Sequence, residues 1–154
     1  MGISVLLVGY VYTFTIGNLD FYYNRISSPK QTSLVIGNSR SAQGIVPSVL
    51  NSETNNEYNF YNFSFTANYS PYGKPYYQAI KNKVAENTTN GIFIVTVDPG
   101  SLSGPKENPE DESLFIDNKS FLANISCVDC NPNIGYILYR HETYYRKIFY
   151  NLIR

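Results

Sequence analysis

The sequence has few of the residues on which catalytic and metal sites usually depend. Its 154 residues include one histidine, His141, and two cysteines, Cys127 and Cys130. The cysteines are spaced C-x-x-C, but a zinc ribbon needs a second such pair, and the sequence has none. The pair also lies late in the chain, beside Pro132, whereas a thioredoxin-type motif follows a first strand. We therefore predict no metal site and no cofactor. The two cysteines are either free thiols or one small loop disulfide.

Net charge is also missing. Twelve Lys and Arg residues balance twelve Asp and Glu residues, and no stretch of the chain is basic. A nucleic-acid interface depends on clustered positive charge, so the composition argues against nucleic acid as a partner. No internal repeat is visible, and the length suits one domain with a real core.

Long hydrophobic runs are likewise scarce. The longest, residues 3–16, is shorter than the roughly 20 residues that a membrane-spanning helix needs. Extending the run to Tyr23 brings it near that length, but only across polar residues that include Asp20. The aromatic residues at its end suit a membrane interface. We predict that residues 1–24 form an N-terminal hydrophobic helix that anchors the protein in a membrane and contacts it through residues 3–23. This implies a membrane-anchored, extracytoplasmic location. A buried helix or strand is the alternative.

What the sequence does contain is an alternation of strand and helix patterns. Apolar runs rich in β-branched and aromatic residues predict three strands, and the segments between them predict two helices. The strands are 32–37, 58–65 and 91–97; the helices are 47–57 and 76–86. This βαβαβ order indicates a parallel sheet with right-handed crossovers. A surface loop, a short helix and an amphipathic helix over residues 134–154 follow. Since no further strand follows, we predict a three-layer, flavodoxin-like α/β fold whose sheet is incomplete.

The first strand leads into the most informative stretch of the chain, Gly37-Asn38-Ser39-Arg40. In open parallel sheets, ligands bind beyond the carboxyl ends of the strands. We expect this exit to meet the exits of the other two strands, residues 63–68 and 97–100, in one crevice. Ser39 then lies where a nucleophile at a helix N-terminus would, and Arg40 can hold an anionic group. The alternative is that Ser39 merely caps the helix.

Residues 35–45, VIGNSRSAQGI, resemble the first sequence block of SGNH (GDSL-type) hydrolase-like proteins. They are most similar to membrane-anchored bacterial envelope proteins with a Gly-x-Ser-Arg version of the motif. Tyr61-Asn62-Phe63-Ser64 and Asp98 follow in the order of the family's second and third blocks, so the resemblance covers residues 34–100. It implies that residues 31–154 are the N-terminal portion of an SGNH-like α/β domain. It also implies an esterase or acyl-transfer activity on a small-molecule or cell-envelope polysaccharide ester.

The resemblance assigns roles to single residues. Ser39 matches the nucleophile, and the Ser39 and Arg40 amides would stabilise the oxyanion. The third block normally supplies an asparagine to the oxyanion hole, but here it offers Asp98, whose ionised carboxylate cannot donate a hydrogen bond. Asn68 would take that role instead. Asn38 and Asp98 remain as ligand-binding residues in the crevice.

No residue of this sequence matches the general base of the family. The family places an aspartate three residues before its catalytic histidine, whereas Leu138 lies three residues before His141. Without a base within hydrogen-bond reach, Ser39 is a weak nucleophile. We therefore expect little or no hydrolase activity from this chain, either because the Asp-His segment lies outside it or because it is a non-catalytic relative. The alternative function is a non-catalytic carbohydrate-binding module on the same fold.

Overall fold

The computed structural model describes Leu7, Val11, residues 20–65, residues 73–99, Leu122 and residues 127–140. The chain folds as two units. The sheet unit is Pro29–Ala123, and the terminal unit combines Met1–Ser28 with Asn124–Arg154. Seven elements have both ends within the described residues: α1 Phe21–Ser27, β1 Ser33–Ile36, α2 Ser39–Gly44, α3 Pro47–Glu53, β2 Phe60–Asn62, α4 Lys74–Lys83 and β3 Phe93–Val95.

The sheet unit is built on three parallel strands in the order β2-β1-β3. Val35 of the central strand lies opposite Asn62 of β2 and Ile94 of β3. All four β1 residues are buried, as expected for a strand that is covered on both faces. The helices and the small parallel sheet agree with the predicted α/β class, and each of the three predicted strands contains one observed strand.

The segment between β1 and β2 differs from the prediction, because it forms two short helices instead of one. The break falls at Ile45 and Val46, which both have extended backbones. Pro47 explains it, since the residue before a proline avoids the helical region while proline itself suits the first turn of a helix. Asn55 and Asn56 then end this segment with positive φ angles of 51° and 57°, a conformation that asparagine tolerates better than most residues.

Aromatic side chains fill the core of the sheet unit beside the strands. Phe63 and Phe65, just after β2, are fully buried and meet edge to face at 5.0 Å between ring centroids. Tyr76 of α4 packs edge to face on Phe65 at 5.7 Å. Ala79 lies one turn further along α4 and is also buried, whereas Ile80, which the helical spacing of the sequence placed on one stripe with Tyr76, is only half-buried.

The terminal unit corrects the prediction of one continuous N-terminal helix reaching Tyr23. The Asp20 carboxylate accepts hydrogen bonds from the Tyr22 and Tyr23 amides at 3.1 and 3.2 Å. Its extended backbone makes it an N-cap, so α1 begins anew at Phe21. Before Asp20 only two residues, both helical and exposed, are described. Across the described ranges, no helix combines the length and the apolar character required to cross a bilayer.

Asp20 also joins the two sequence segments of the terminal unit. Its second carboxylate oxygen accepts a hydrogen bond from the Tyr136 hydroxyl at 2.8 Å and pairs with Arg140 at 3.2 Å. Tyr23 reinforces this link, because its hydroxyl accepts a hydrogen bond from the Asn133 amide at 3.1 Å. Residues 134–140 are helical, which agrees with the start of the predicted amphipathic helix. The rest of that helix, the loop over 101–111 and all of the short helix near residue 120 except Leu122 lie outside the described residues.

Candidate functional site

Glycine is required where β1 turns into α2. A Cβ atom on Gly37 would overlap the Thr96 hydroxyl and lie 2.8 Å from the Ser41 Cβ atom. The Thr96 amide donates to the Ile36 carbonyl at 2.9 Å, so the chain after β3 runs directly beside this turn. The close approach of the Thr96 and Ser41 side chains, and not a special φ angle, therefore explains the glycine of the motif.

Asn38 connects the turn to the exit of β3. Its side-chain amide donates a hydrogen bond to Asp98, and its carbonyl oxygen accepts one from the Arg40 amide at 3.0 Å. The second bond makes Asn38 the N-cap of α2. The Phe65 amide donates to the Gly37 carbonyl at 3.1 Å, so the exit of β2 meets the same turn, and the three strand exits converge as expected. The structure also shows that Asn38, and not Ser39, caps the helix through its side chain.

Ser39 is the first residue of α2 and is partly exposed. Among the described residues, none forms a hydrogen bond with its hydroxyl. Arg40 is exposed beside it, so its guanidinium can meet an anion from solvent. The Arg40 amide, however, is already bound to Asn38, and it would have to leave Asn38 before it could stabilise an oxyanion. The Ser39 amide is the remaining donor of the predicted pair.

A buried polar network holds this turn from the side of α4. The Gly37 amide donates to the Tyr76 hydroxyl at 3.3 Å, and that hydroxyl donates to the Phe63 carbonyl. Tyr76 therefore links the residue after β1 to the residue after β2. All three residues are buried, so these bonds satisfy groups that water cannot reach.

The first turn of α2 is held in the same way from the side of β2. The Ser41 and Ser64 hydroxyls are 2.7 Å apart, and both residues are buried. Asn62 donates to the Ser41 and Ile45 carbonyls at 3.0 and 2.8 Å, and it accepts from the Ser64 amide at 3.1 Å. Residues of the predicted second sequence block thus support the turn that carries Ser39. We call Tyr76, Ser41, Asn62 and Ser64 the supporting network.

Two predicted residues fall outside the described part of the chain, Asn68 and His141. Sequence reasoning did not assign a site role to Tyr76 or Thr96. A helical stripe indicated that Tyr76 faces the core, but nothing in the pattern indicated what its hydroxyl would bind. The small size of Gly37 was a signal for a close neighbour, although it did not identify Thr96.

The cysteine pair is a disulfide, Cys127–Cys130, in the terminal unit. This is the second of the two alternatives left by the sequence. The Asp129 carboxylate lies near both sulfurs, and the three ligand atoms are within 4.8 Å of one another. The sulfurs are bonded to each other and offer no thiolate to a metal ion in this state.

Comparison with protein-family models, with curated protein sequences and with solved structures found no match to this chain.

Proposed function

We propose that the turn after β1 is an acyl-ester site of the SGNH-hydrolase type, in which Ser39 accepts the acyl group. One observation carries this proposal. A partly exposed serine follows a glycine turn that is tied to the exits of both neighbouring strands. Sites that act on a reacting atom need such a rigid support, because small displacements remove the productive geometry.

In the proposed reaction, the Ser39 oxygen attacks the carbonyl carbon of an ester, and water takes up the hydroxyl proton and later returns one to the departing alcohol. The tetrahedral oxyanion receives a hydrogen bond from the Ser39 amide, and Asn68 is the further donor that we propose. The alcohol then leaves with a proton, and an acyl-serine remains for transfer to water or to another hydroxyl group. The ester class is a small molecule or an envelope polysaccharide, and the proposal includes an extracytoplasmic, membrane-anchored protein.

Two features make this reaction slow in the chain as it stands. The described residues place no base within hydrogen-bond distance of the Ser39 hydroxyl. The Asp98 carboxylate, held near the turn by Asn38, disfavours a second negative charge beside it. We therefore expect little or no ester turnover, although a reactive serine probe can still accumulate on the protein over hours.

A fluorophosphonate probe tests the proposal on the full chain. We expect mass spectrometry to find the probe on Ser39, and Ser39→Ala to reduce total labelling at least about tenfold. Ser48→Ala is the matched control, because Ser48 is an exposed serine in the first turn of another helix, α3. Labelling that is absent, or equal in the wild type and in Ser39→Ala, would refute the acyl-ester site.

A second candidate is a carbohydrate-binding crevice without catalysis. The Asn38–Asp98 pair favours it, because an amide and a carboxylate side by side can bind neighbouring sugar hydroxyls. Saturable binding of an O-acetylated oligosaccharide, measured by shifts of the Asn38 side-chain amide resonance, combined with no probe labelling, would favour this function. Binding that persists unchanged in Asp98→Ala would exclude this crevice.

A further inference from the structure

The outer side of β3 has backbone groups that no described residue of the sheet unit pairs with. On its inner side, the Ile92 carbonyl accepts from the Leu34 amide at 3.1 Å, and the Thr96 amide donates to the Ile36 carbonyl at 2.9 Å. Backbone groups of alternate residues point to the same side of a strand, so those of Phe93 and Val95 point away from β1. Among the described residues nothing pairs with them, and β3 is an edge strand of the sheet.

The side chains of this edge are apolar and exposed. Phe93 is 44 % exposed and Val95 is 46 % exposed, and both point to the same face of the sheet. Residues 91–97 contain no charged residue and no proline. Native sheets usually protect an edge with a lysine, a proline or a bulge, because an open apolar edge pairs with other strands. This edge has none of the three within residues 91–97.

We propose that two copies of this chain pair through β3, in antiparallel orientation, to form one continuous six-stranded sheet. A two-fold axis at Ile94, the middle residue of the strand, places Phe93 of each copy opposite Val95 of the other. Both residues have outward N–H and C=O groups, so they form two hydrogen-bonded pairs that each exchange two N–H···O bonds.

The chemistry of the edge fits a second copy of itself. The register places an aromatic ring beside a β-branched side chain in both pairs, which is a favourable cross-strand combination. The same register puts Asp98 of one copy opposite Asn90 of the other, so the first charged residue after the strand does not face its own equivalent. A two-fold contact occupies the β3 edge of each copy, so the pairing through β3 stops at a dimer.

The contact is short, because β3 has three residues. A contact of this length buries less than the roughly 1,000 Å² of surface that a stable interface buries. We therefore expect a weak dimer with a dissociation constant on the order of 10–100 μM. Sedimentation velocity over concentrations from about 5 to 500 μM covers this range. The expected mass rises from 17.5 kDa and levels off at twice that value.

Two variants of the edge distinguish this contact from any other. Val95→Lys places a positive charge in the contact in both copies, which disfavours pairing. Val95→Pro removes an outward N–H group without removing a hydrogen bond to β1. Both are expected to remain monomeric up to about 500 μM. Val49→Lys is the matched control, because Val49 is an exposed valine on α3. It is expected to dimerise like the wild type.

Amide hydrogen exchange of the wild type tests the same contact without a variant. The Phe93 and Val95 amides should exchange about tenfold more slowly at high than at low protein concentration. The Thr96 amide, which is bonded to Ile36, should not change. A monomer at every concentration, a dimer that both Val95 variants retain, or a mass that rises without a plateau would overturn the proposal.

Discussion

Removing the Tyr76 hydroxyl is the most direct way to test how the turn after β1 is held. Tyr76→Phe keeps the ring, which packs on Phe65 at 5.7 Å, and removes a single oxygen atom. That oxygen accepts a hydrogen bond from the Gly37 amide and donates one to the Phe63 carbonyl. The change therefore separates the contribution of the polar network from that of aromatic packing.

The expected loss of stability follows from the two groups that lose this partner. A buried backbone group without a partner costs about 1–3 kcal/mol, because water cannot replace the lost bond. The Gly37 amide and the Phe63 carbonyl are affected together, so we expect Tyr76→Phe to lower the free energy of unfolding by about 2–4 kcal/mol. With a urea m-value near 2 kcal/mol/M, the midpoint of unfolding falls by about 1–2 M.

Urea unfolding followed by far-ultraviolet circular dichroism measures this midpoint, since the chain has no tryptophan for fluorescence. Tyr77→Phe is the matched control, because Tyr77 is the next residue of α4 and is exposed. We expect that variant to stay within about 0.5 kcal/mol of the wild type. If Tyr76→Phe is equally mild, the hydroxyl does not hold the turn and the reasoning about the supporting network is wrong.

Two further predictions concern single contacts in the sheet unit. Asn62→Ala removes three hydrogen bonds and is expected to lower the free energy of unfolding by about 2–4 kcal/mol in the same urea assay. The control Asn59→Ala changes an exposed residue and should lower it by less than about 0.5 kcal/mol. Equal losses of stability in the two variants would contradict the role of Asn62. The Lys30 ammonium, 2.9 Å from Glu86, holds the pKa of that carboxyl below its usual range. The stabilisation from this exposed pair is therefore present at neutral pH and is lost as the pH falls through the lowered pKa. An NMR titration of Glu86 should show the pKa return to its usual range in Lys30→Met and not in Lys81→Met, and an unchanged pKa in Lys30→Met would remove Lys30 as the cause.

The strands were predictable because buried strand positions require apolar residues, which are visible in the sequence. The run around Val35 is apolar without alternation, which requires a strand covered on both faces, and the structure buries all of β1. The convergence of Asn38 and Asp98 was also accessible, since the carboxyl ends of neighbouring parallel strands lie together. Their direct hydrogen bond depends on side-chain rotamers, which no sequence pattern specifies.

The supporting network could not be predicted, because its hydrogen bonds also depend on where the folded backbone places each side chain. Asn62 and Ser64 lie in a strand-like segment that reads as aromatic and polar in alternation, and their partners come from α2, which was not predicted as a separate helix. A buried amide finds its partner only after the backbone has placed Ser41 within reach. The role of Asp20 as an N-cap was open to prediction, but the apolar residues on either side of it favoured one continuous helix.

The bond between Asp20 and Tyr136 spans 116 residues, and its consequence concerns the order of events during synthesis. The sheet unit, Pro29–Ala123, is translated before the second segment of the terminal unit. The terminal unit must therefore wait for its second half, with the Asp20 carboxylate still exposed to solvent. During that interval the nascent chain carries Asp20 without the partners that Tyr136 and Arg140 later supply.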